Sequence, residues 1–316
     1  MINSPICDIL GIEKPIFQGG MAWIADARLA AAVSEAGGLG LISSILGGPE
    51  AVREQIRLAR ELTDKPFGVN IMLAAPEAPE IARLVVEEGV SIVTTGAGSP
   101  APYMESWLAE GIRVIPVVAS VAYAIKMQEL GATAVIAEGA ESGGHVGETN
   151  TMALVPQVVD AVQIPVLAAG GICDGRGAAA AFMLGACGVQ VGTRFLVAEE
   201  CRVHPVYKER IIKASDVGTM VTGRSLADAV RSLKTPFSKQ FAKMEANPSV
   251  SADEIRAFGT GSLRKAVFDG DLSGGSFLAG EVAGLIRKTE PAADIVNDII
   301  GGAEAYLRSV PHKLLI

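Results

Sequence analysis

The sequence predicts an α/β protein: a (β/α)8 TIM barrel with a helical insertion after strand 8. The first observation is a recurring motif, an Ala/Glu/Leu-rich stretch, then glycine, then a β-branched apolar run. It occurs as EAGGLGLI (35–42), EEGVSIVTTG (87–96), AEGIRVIPVV (109–118), ELGATAVIAEG (129–139) and MLGACGVQVG (183–192). Glycine there fits a helix end, where the residue after the cap takes positive φ. The apolar run after it fits a strand covered on both faces. Second, PIFQGGM (15–21), PFGVNIML (66–73) and PVLAAGGI (165–172) add three more such runs, giving eight before residue 196. Third, 36 glycines and 49% hydrophobic residues suit closely packed α/β units.

Taken in order, the runs are separated by helical stretches at Pro49–Leu62, Pro76–Glu88, Ser120–Leu130, Thr151–Val162 and Gly175–Leu184. Eight consecutive βα repeats fit a closed barrel better than a doubly wound sheet. After residue 196 the strand rhythm stops, and helical patches follow at Pro205–Ala214, Arg224–Lys234, Ser251–Phe268, Gly280–Arg287 and Ala292–Ser309. The last supplies the barrel's eighth helix. The expected division is therefore a barrel over 1–199 and 289–316, with a helical insertion over 200–288 capping the C-terminal face.

Lys and Arg number 27 against 35 Asp and Glu, a net charge of −8. That balance excludes a general nucleic-acid binder, which needs clustered cations. Four cysteines (Cys7, Cys173, Cys187, Cys201) form no CxxC pair, so buried free thiols are expected. No cluster of metal-ligating residues stands out. The N-terminus lacks the pattern of a signal peptide, and the apolar run Ile115–Ile125 is far too short to span a membrane. A cytoplasmic protein is the expectation.

In this fold the site lies at the C-terminal ends of the strands. The ends of the seventh and eighth runs carry Gly170-Gly171 and Gly192-Thr193. Paired glycine turns there suit a phosphate held by bare backbone N–H groups, with Gly175 and Arg176 opening the next helix. Asn70, Glu138 and the Gly19-Gly20-Met21 backbone face that place across the mouth, a set that suggests flavin mononucleotide (FMN). His145, in the loop S-G-G-H-V-G, can approach a ligand closely, and a histidine is the residue type suited to a proton donor. His204 and His312 lie in the insertion and the tail.

The runs PIFQGGMAWIADARLAAAVSEAGGLGLI, KPFGVNIML, TTGAG, AVIAEGAESGGHVG, PVLAAGGICDGRGAAAAFMLGA and VQVGTRF resemble the FMN-dependent enoyl-acyl-carrier-protein reductases of the FabK type. These belong to the nitronate monooxygenase (2-nitropropane dioxygenase) superfamily. The resemblance extends into G-G-S-F-L-A-G-E-V-A-G-L-I (274–286). It implies NAD(P)H-dependent reduction of the trans-2 double bond of enoyl-acyl carrier protein during fatty-acid elongation, with FMN relaying hydride. His145 matches the family's catalytic histidine, which acts as proton donor. Gly20, Met21, Ala22, Asn70, Glu138, Gly171, Gly192 and Thr193 match its flavin contacts; Ser43, Gly143 and Gly170 join them as strand-end candidates. Phe277 and Leu278 are expected to line the acyl pocket.

No G-x-G-x-x-G fingerprint follows a first strand, so the choice between NADH and NADPH is not readable. A monovalent-cation requirement and a homodimer are also left open. The implied carrier-protein partner is acidic, and its docking patch would be Arg202, Lys208, Arg210 and Lys213, or Arg231, Lys234, Lys239 and Lys243. Three alternatives compete. A nitronate monooxygenase would use the same histidine as a base, with dioxygen as oxidant. An inosine-monophosphate-dehydrogenase-like enzyme needs a nucleophilic cysteine where this chain carries His145. A flavin binder without turnover would have lost its polar strand-end groups, yet Asn70, Glu138 and His145 are present.

Overall fold

The computed structural model describes residues 2–314, with side chains through 309. The eight expected barrel strands form. They are β1 (Ile16–Gln18), β2 (Gly40–Ser43), β3 (Phe67–Met72), β4 (Ile92–Gly96), β5 (Arg113–Val118), β6 (Val135–Glu138), β8 (Val166–Ala169) and β9 (Gly188–Val191). The intervening label, β7, is a two-residue strand, Gly144–His145, outside the barrel. All barrel pairings are parallel, in the order β1-β9-β8-β6-β5-β4-β3-β2. Closure between β1 and β2 comes from a parallel bridge, Phe17 to Leu39, and from the buried Gln18 side chain, whose Oε1 accepts from Leu41 N at 3.2 Å.

Inside the barrel Phe17, Leu41, Ile92, Ile115, Ile136 and Leu167 form one apolar cluster. The helix Pro5–Leu10 plugs its N-terminal face with Ile6 and Leu10. The N-terminal end is thus filled with hydrocarbon, which leaves the C-terminal end for a ligand. Outside, helices between consecutive strands follow the expected ranges within two residues, including Pro49–Leu62, Ala78–Glu87 and Thr151–Ala161. The closing helix, Ala292–Leu314, packs on the helix Gly175–Met183, where a Cβ on Gly175 would fall 2.4 Å from the Gly302 carbonyl carbon. Only glycine lets the two backbones approach so closely.

Between 200 and 288 the chain is not wholly helical, which corrects the sequence expectation. Arg224–Lys234 was expected as helix. Instead β10 (Thr219–Thr222) and β11 (Val230–Leu233) pair antiparallel there, and β11 pairs with β7 to make a three-stranded sheet. β-branched Thr219, Val221, Thr222 and Val230 favour strand, and the partner Gly144–His145 lies far away in sequence. The helix Pro236–Glu245 was also missed. It opens with a capping box in which Thr235 Oγ1 accepts from Ser238 N at 3.2 Å and Ser238 Oγ accepts from Thr235 N at 2.9 Å. The expected helix Ser251–Phe268 is interrupted at Gly261, which takes φ +73° between Ala252–Gly259 and Ser262–Arg264.

All four cysteines are free, and burial pushes each thiol up to about 11, away from thiolate chemistry. No helix among the described residues is long and apolar enough to cross a membrane.

Candidate active site

A cavity of about 760 Å³ opens at the C-terminal end of the strands, within the size range of cofactor pockets. It is lined by the expected catalytic histidine and all the expected flavin contacts: Gly20, Met21, Ala22, Ser43, Asn70, Glu138, Gly143, His145, Gly170, Gly171, Gly192 and Thr193. Among the lining expectations from the insertion, Leu278 reaches the cavity but Phe277 does not. Phe277 is fully buried against Tyr207, with ring centroids 4.8 Å apart.

Local structure explains how each group arrives. Asn70 lies on β3, and its Oδ1 accepts from Thr94 Oγ1 at 2.9 Å. Gly20 passes directly over it, since a Cβ there would fall 2.1 Å from Asn70 Cβ. Ser43 ends β2 with its hydroxyl turned to Ile45 N at 3.1 Å. Glu138 ends β6, half-buried at the cavity floor, where burial pushes its carboxyl up to about 7 and the Ser142 hydroxyl offsets part of that rise. The loop after it is tied down by Glu141, whose carboxylate accepts from Thr151 N at 2.9 Å and from Thr151 Oγ1 at 2.9 Å. Thr151 Oγ1 also lies 2.9 Å from Gly170 O, joining this loop to the glycine turn after β8.

At that end Gly170 and Gly171 take φ +86° and +74°. Gly192 follows β9, and a Cβ on it would meet only Met21 Sδ, at 3.9 Å. The empty space beside Gly192 is therefore a cradle that a side chain would fill and the backbone leaves clear. Thr193 hydroxyl already accepts from Gly280 N at 2.9 Å. The helix Gly175–Met183 opens at Gly175 and Arg176, as expected. Asp174 caps it, accepting from Arg176 N at 3.0 Å and Gly177 N at 3.1 Å. An anion in the cradle would meet the two glycine turns.

Ser142 Oγ, on the cavity wall, is buried and faces the Glu138 carboxyl, whose rise it partly offsets. The cradle at Gly192, the Ser142 hydroxyl and the amide and carboxyl of Asn70 and Glu138 all fit a phosphorylated, hydroxyl-bearing cofactor.

His145 stands at the rim on β7, its side chain about half exposed. Its loop packs backbone to backbone on the insertion: a Cβ on Gly143 would fall 2.6 Å from the Ala279 carbonyl carbon, and Glu281 N donates to Glu141 O at 3.0 Å. Sequence reasoning missed Trp23, Tyr123, Ser142 and Gln190 on the cavity wall. Gln190 was discoverable, as a lone polar residue in the last barrel strand. Trp23 was not, since nothing local marks its φ of +65°.

Of the expected docking cations, Arg231 is withdrawn. Its guanidinium donates to Ala140 O at 3.1 Å and pairs with Glu281 at 3.0 Å. Lys208 donates to Ala198 O, and Lys213 pairs with Glu209.

Comparison with known proteins agrees with this arrangement. Residues 3–302 match the nitronate monooxygenase family. The chain is similar to FabK from Thermotoga maritima, with 48% identity, 99% of this chain and 100% of that one covered, and a TM-score of 0.96. It is 32% identical to (3aS,4S,5R,7aS)-5-hydroxy-7a-methyl-1-oxo-octahydro-1H-indene-4-carboxyl-CoA dehydrogenase of Mycobacterium tuberculosis, over 98% of both chains. A probable nitronate monooxygenase of Staphylococcus aureus is 31% identical, over 94% of this chain and 96% of the other.

Proposed function

The chain belongs to the nitronate monooxygenase family, and within it we propose that it is an FMN-dependent oxidoreductase that reduces the trans-2 double bond of enoyl thioesters on acyl carrier protein, with NADH or NADPH as co-substrate. One observation carries this reading. The similarity to Thermotoga maritima FabK covers 99% of the chain, so it includes the insertion that shapes the mouth of the cavity as well as the shared barrel. The thioester named for the Mycobacterium tuberculosis relative points to the same substrate class.

Gly170, Gly171, Gly192 and Thr193 would receive the cofactor's phosphate, while Asn70, Glu138 and Ser142 would meet its hydroxyls and polar ring edge. When bound, FMN would supply the hydride carrier between nicotinamide and the enoyl β-carbon. The protein's own work is positional. Leu278, Val282, Leu263 and Leu196 line the cavity with hydrocarbon and keep water from the reacting atoms. His145, at the rim, holds the proton destined for the α-carbon. The segment 200–288, helices and hairpin together, acts as the cap over the barrel formed by 1–199 and 289–316.

A second reading, nitronate oxidation by dioxygen with His145 as base, is favoured by the family match and by the Staphylococcus aureus relative. The two separate in one assay. Purified holoenzyme should reduce crotonyl thioester with NADH or NADPH under anaerobic conditions. Rapid oxygen uptake with an alkyl nitronate, and no crotonyl reduction with either nucleotide, would replace the first reading by the second.

A further inference from the structure

Four consecutive residues of the insertion, 228–231, each hold a different part of the His145 loop. Asp228 Oδ1 lies 2.9 Å from His145 Nε2. Ala229 O accepts from Val146 N at 3.0 Å. Val230 pairs with His145 and Arg231 with Gly144 across the two strands. The Arg231 guanidinium also grips Ala140 O, at 3.1 and 3.2 Å, where the loop begins. The loop is thus fixed at its entry, its exit and its imidazole by one short stretch of chain.

Asp228 is itself held firmly. It sits on the turn between β10 and β11, where Gly223 takes φ +84° and Ala227 φ +56°. Its N–H donates to Gly223 O at 3.0 Å, and a Cβ on Gly223 would fall 2.0 Å from Asp228 O. Glu245 secures the turn from the side, accepting from Gly223 N at 2.9 Å, and Arg224 pairs with Glu148 at 2.8 Å.

We propose that Asp228 is a positioning residue that orients the His145 ring by engaging Nε2, so that Nδ1 is the nitrogen turned to the substrate. With Nε2–H donating to the carboxylate, the neutral ring leaves Nδ1 free, and the charged ring carries its transferable proton there. Both side chains are more than half exposed, at 52% and 62%, so solvent screens the charge and orientation carries the effect. This inference rests on the enoyl-reductase reading and on His145 as its donor.

The experiment compares wild-type, Asp228→Ala, Asp228→Asn and His145→Ala holoenzymes in single-turnover reduction of crotonyl thioester, after flavin content is matched by visible absorbance. Asp228→Ala is expected to slow that step about 10- to 100-fold, the cost of a misplaced reacting group. Asp228→Asn, whose amide oxygen still accepts from Nε2–H, is expected to restore most of the rate. In the His145→Ala background, Asp228→Ala is expected to cost nothing more, because a residue acting only through the imidazole has then lost its target. A full rate in Asp228→Ala, or an equal loss in the His145→Ala background, would overturn the proposal. If the wild type reduces no enoyl thioester, the functional reading fails separately. The ¹⁵N spectrum of the His145 ring still decides: one tautomer protonated at Nε2 in the wild type and a mixture in Asp228→Ala uphold the contact, and identical spectra refute it.

Discussion

Gly20 and Asn70 occupy the same space at the cavity wall: a Cβ at 20 would fall 2.1 Å from Asn70 Cβ and 2.3 Å from its Cγ. Gly20→Ala must therefore push β3 or the loop aside and break the 2.9 Å bond between Asn70 and Thr94. Overpacking of this kind costs about 1–3 kcal/mol. We expect a lower melting temperature and a paler protein as purified. An alanine variant with unchanged melting and unchanged visible absorbance would show that this contact positions nothing.

Gly192 offers the complementary test, since its φ is −109° and a side chain there meets open cavity. Gly192→Val should fold as well as the wild type, because it neither strains the backbone nor strikes protein. It should lose bound flavin, because the isopropyl group fills the phosphate cradle. Normal stability with full flavin content would move the phosphate elsewhere. Gly171 is a poorer probe, as its φ of +74° would strain any replacement.

The Glu138 carboxyl is pushed up to about 7 from an ordinary value of 4.5. Its folded pKa lies above its unfolded one, so the folded protein holds the proton more tightly between those limits. Stability from this group then falls as pH rises from 4.5 to about 7, and the penalty is complete above that. In flavin-free protein, Glu138→Gln should therefore raise the melting temperature at about pH 8 and give a shrinking gain toward about pH 5. Scanning calorimetry at both pH values checks this; a gain independent of pH would contradict it.

How much of this was readable beforehand follows from where each signal resides. Each βα repeat carries its own helix-ending glycine and apolar run, so the barrel could be read locally, and so could its strand-end residues. The β10–β11 hairpin could not. TMVT and VRSL are short and largely half-exposed, and β11's second partner, Gly144–His145, lies more than 80 residues earlier. Asp228 was invisible for the same reason, since nothing in L-A-D-A-V announces a contact with a distant histidine. Gly143 was marked as a flavin contact, but its lack of a side chain is also required by the Ala279 backbone. One sequence cannot separate those two causes.

Arg194 and Glu290 form a buried ion pair, with side chains 9% and 8% exposed, that joins the end of β9 to the start of the closing helix. Lys288 also reaches Glu290, at 2.6 Å, from an exposed position. Arg194→Met would leave the carboxylate with that partner alone, and breaking a buried pair from one side costs about 3 kcal/mol. Urea unfolding should register a loss near that size. A change below about 1 kcal/mol would mean that Lys288 compensates fully.

The most direct measurement is the rate at which enoyl thioester is reduced by flavin-replete His145→Ala, followed in a single turnover after anaerobic reduction with nicotinamide. The account predicts normal flavin content and a rate lower by roughly 10²–10⁴-fold, the contribution of a positioned acid. A variant that reduces crotonyl thioester as fast as the wild type would contradict it.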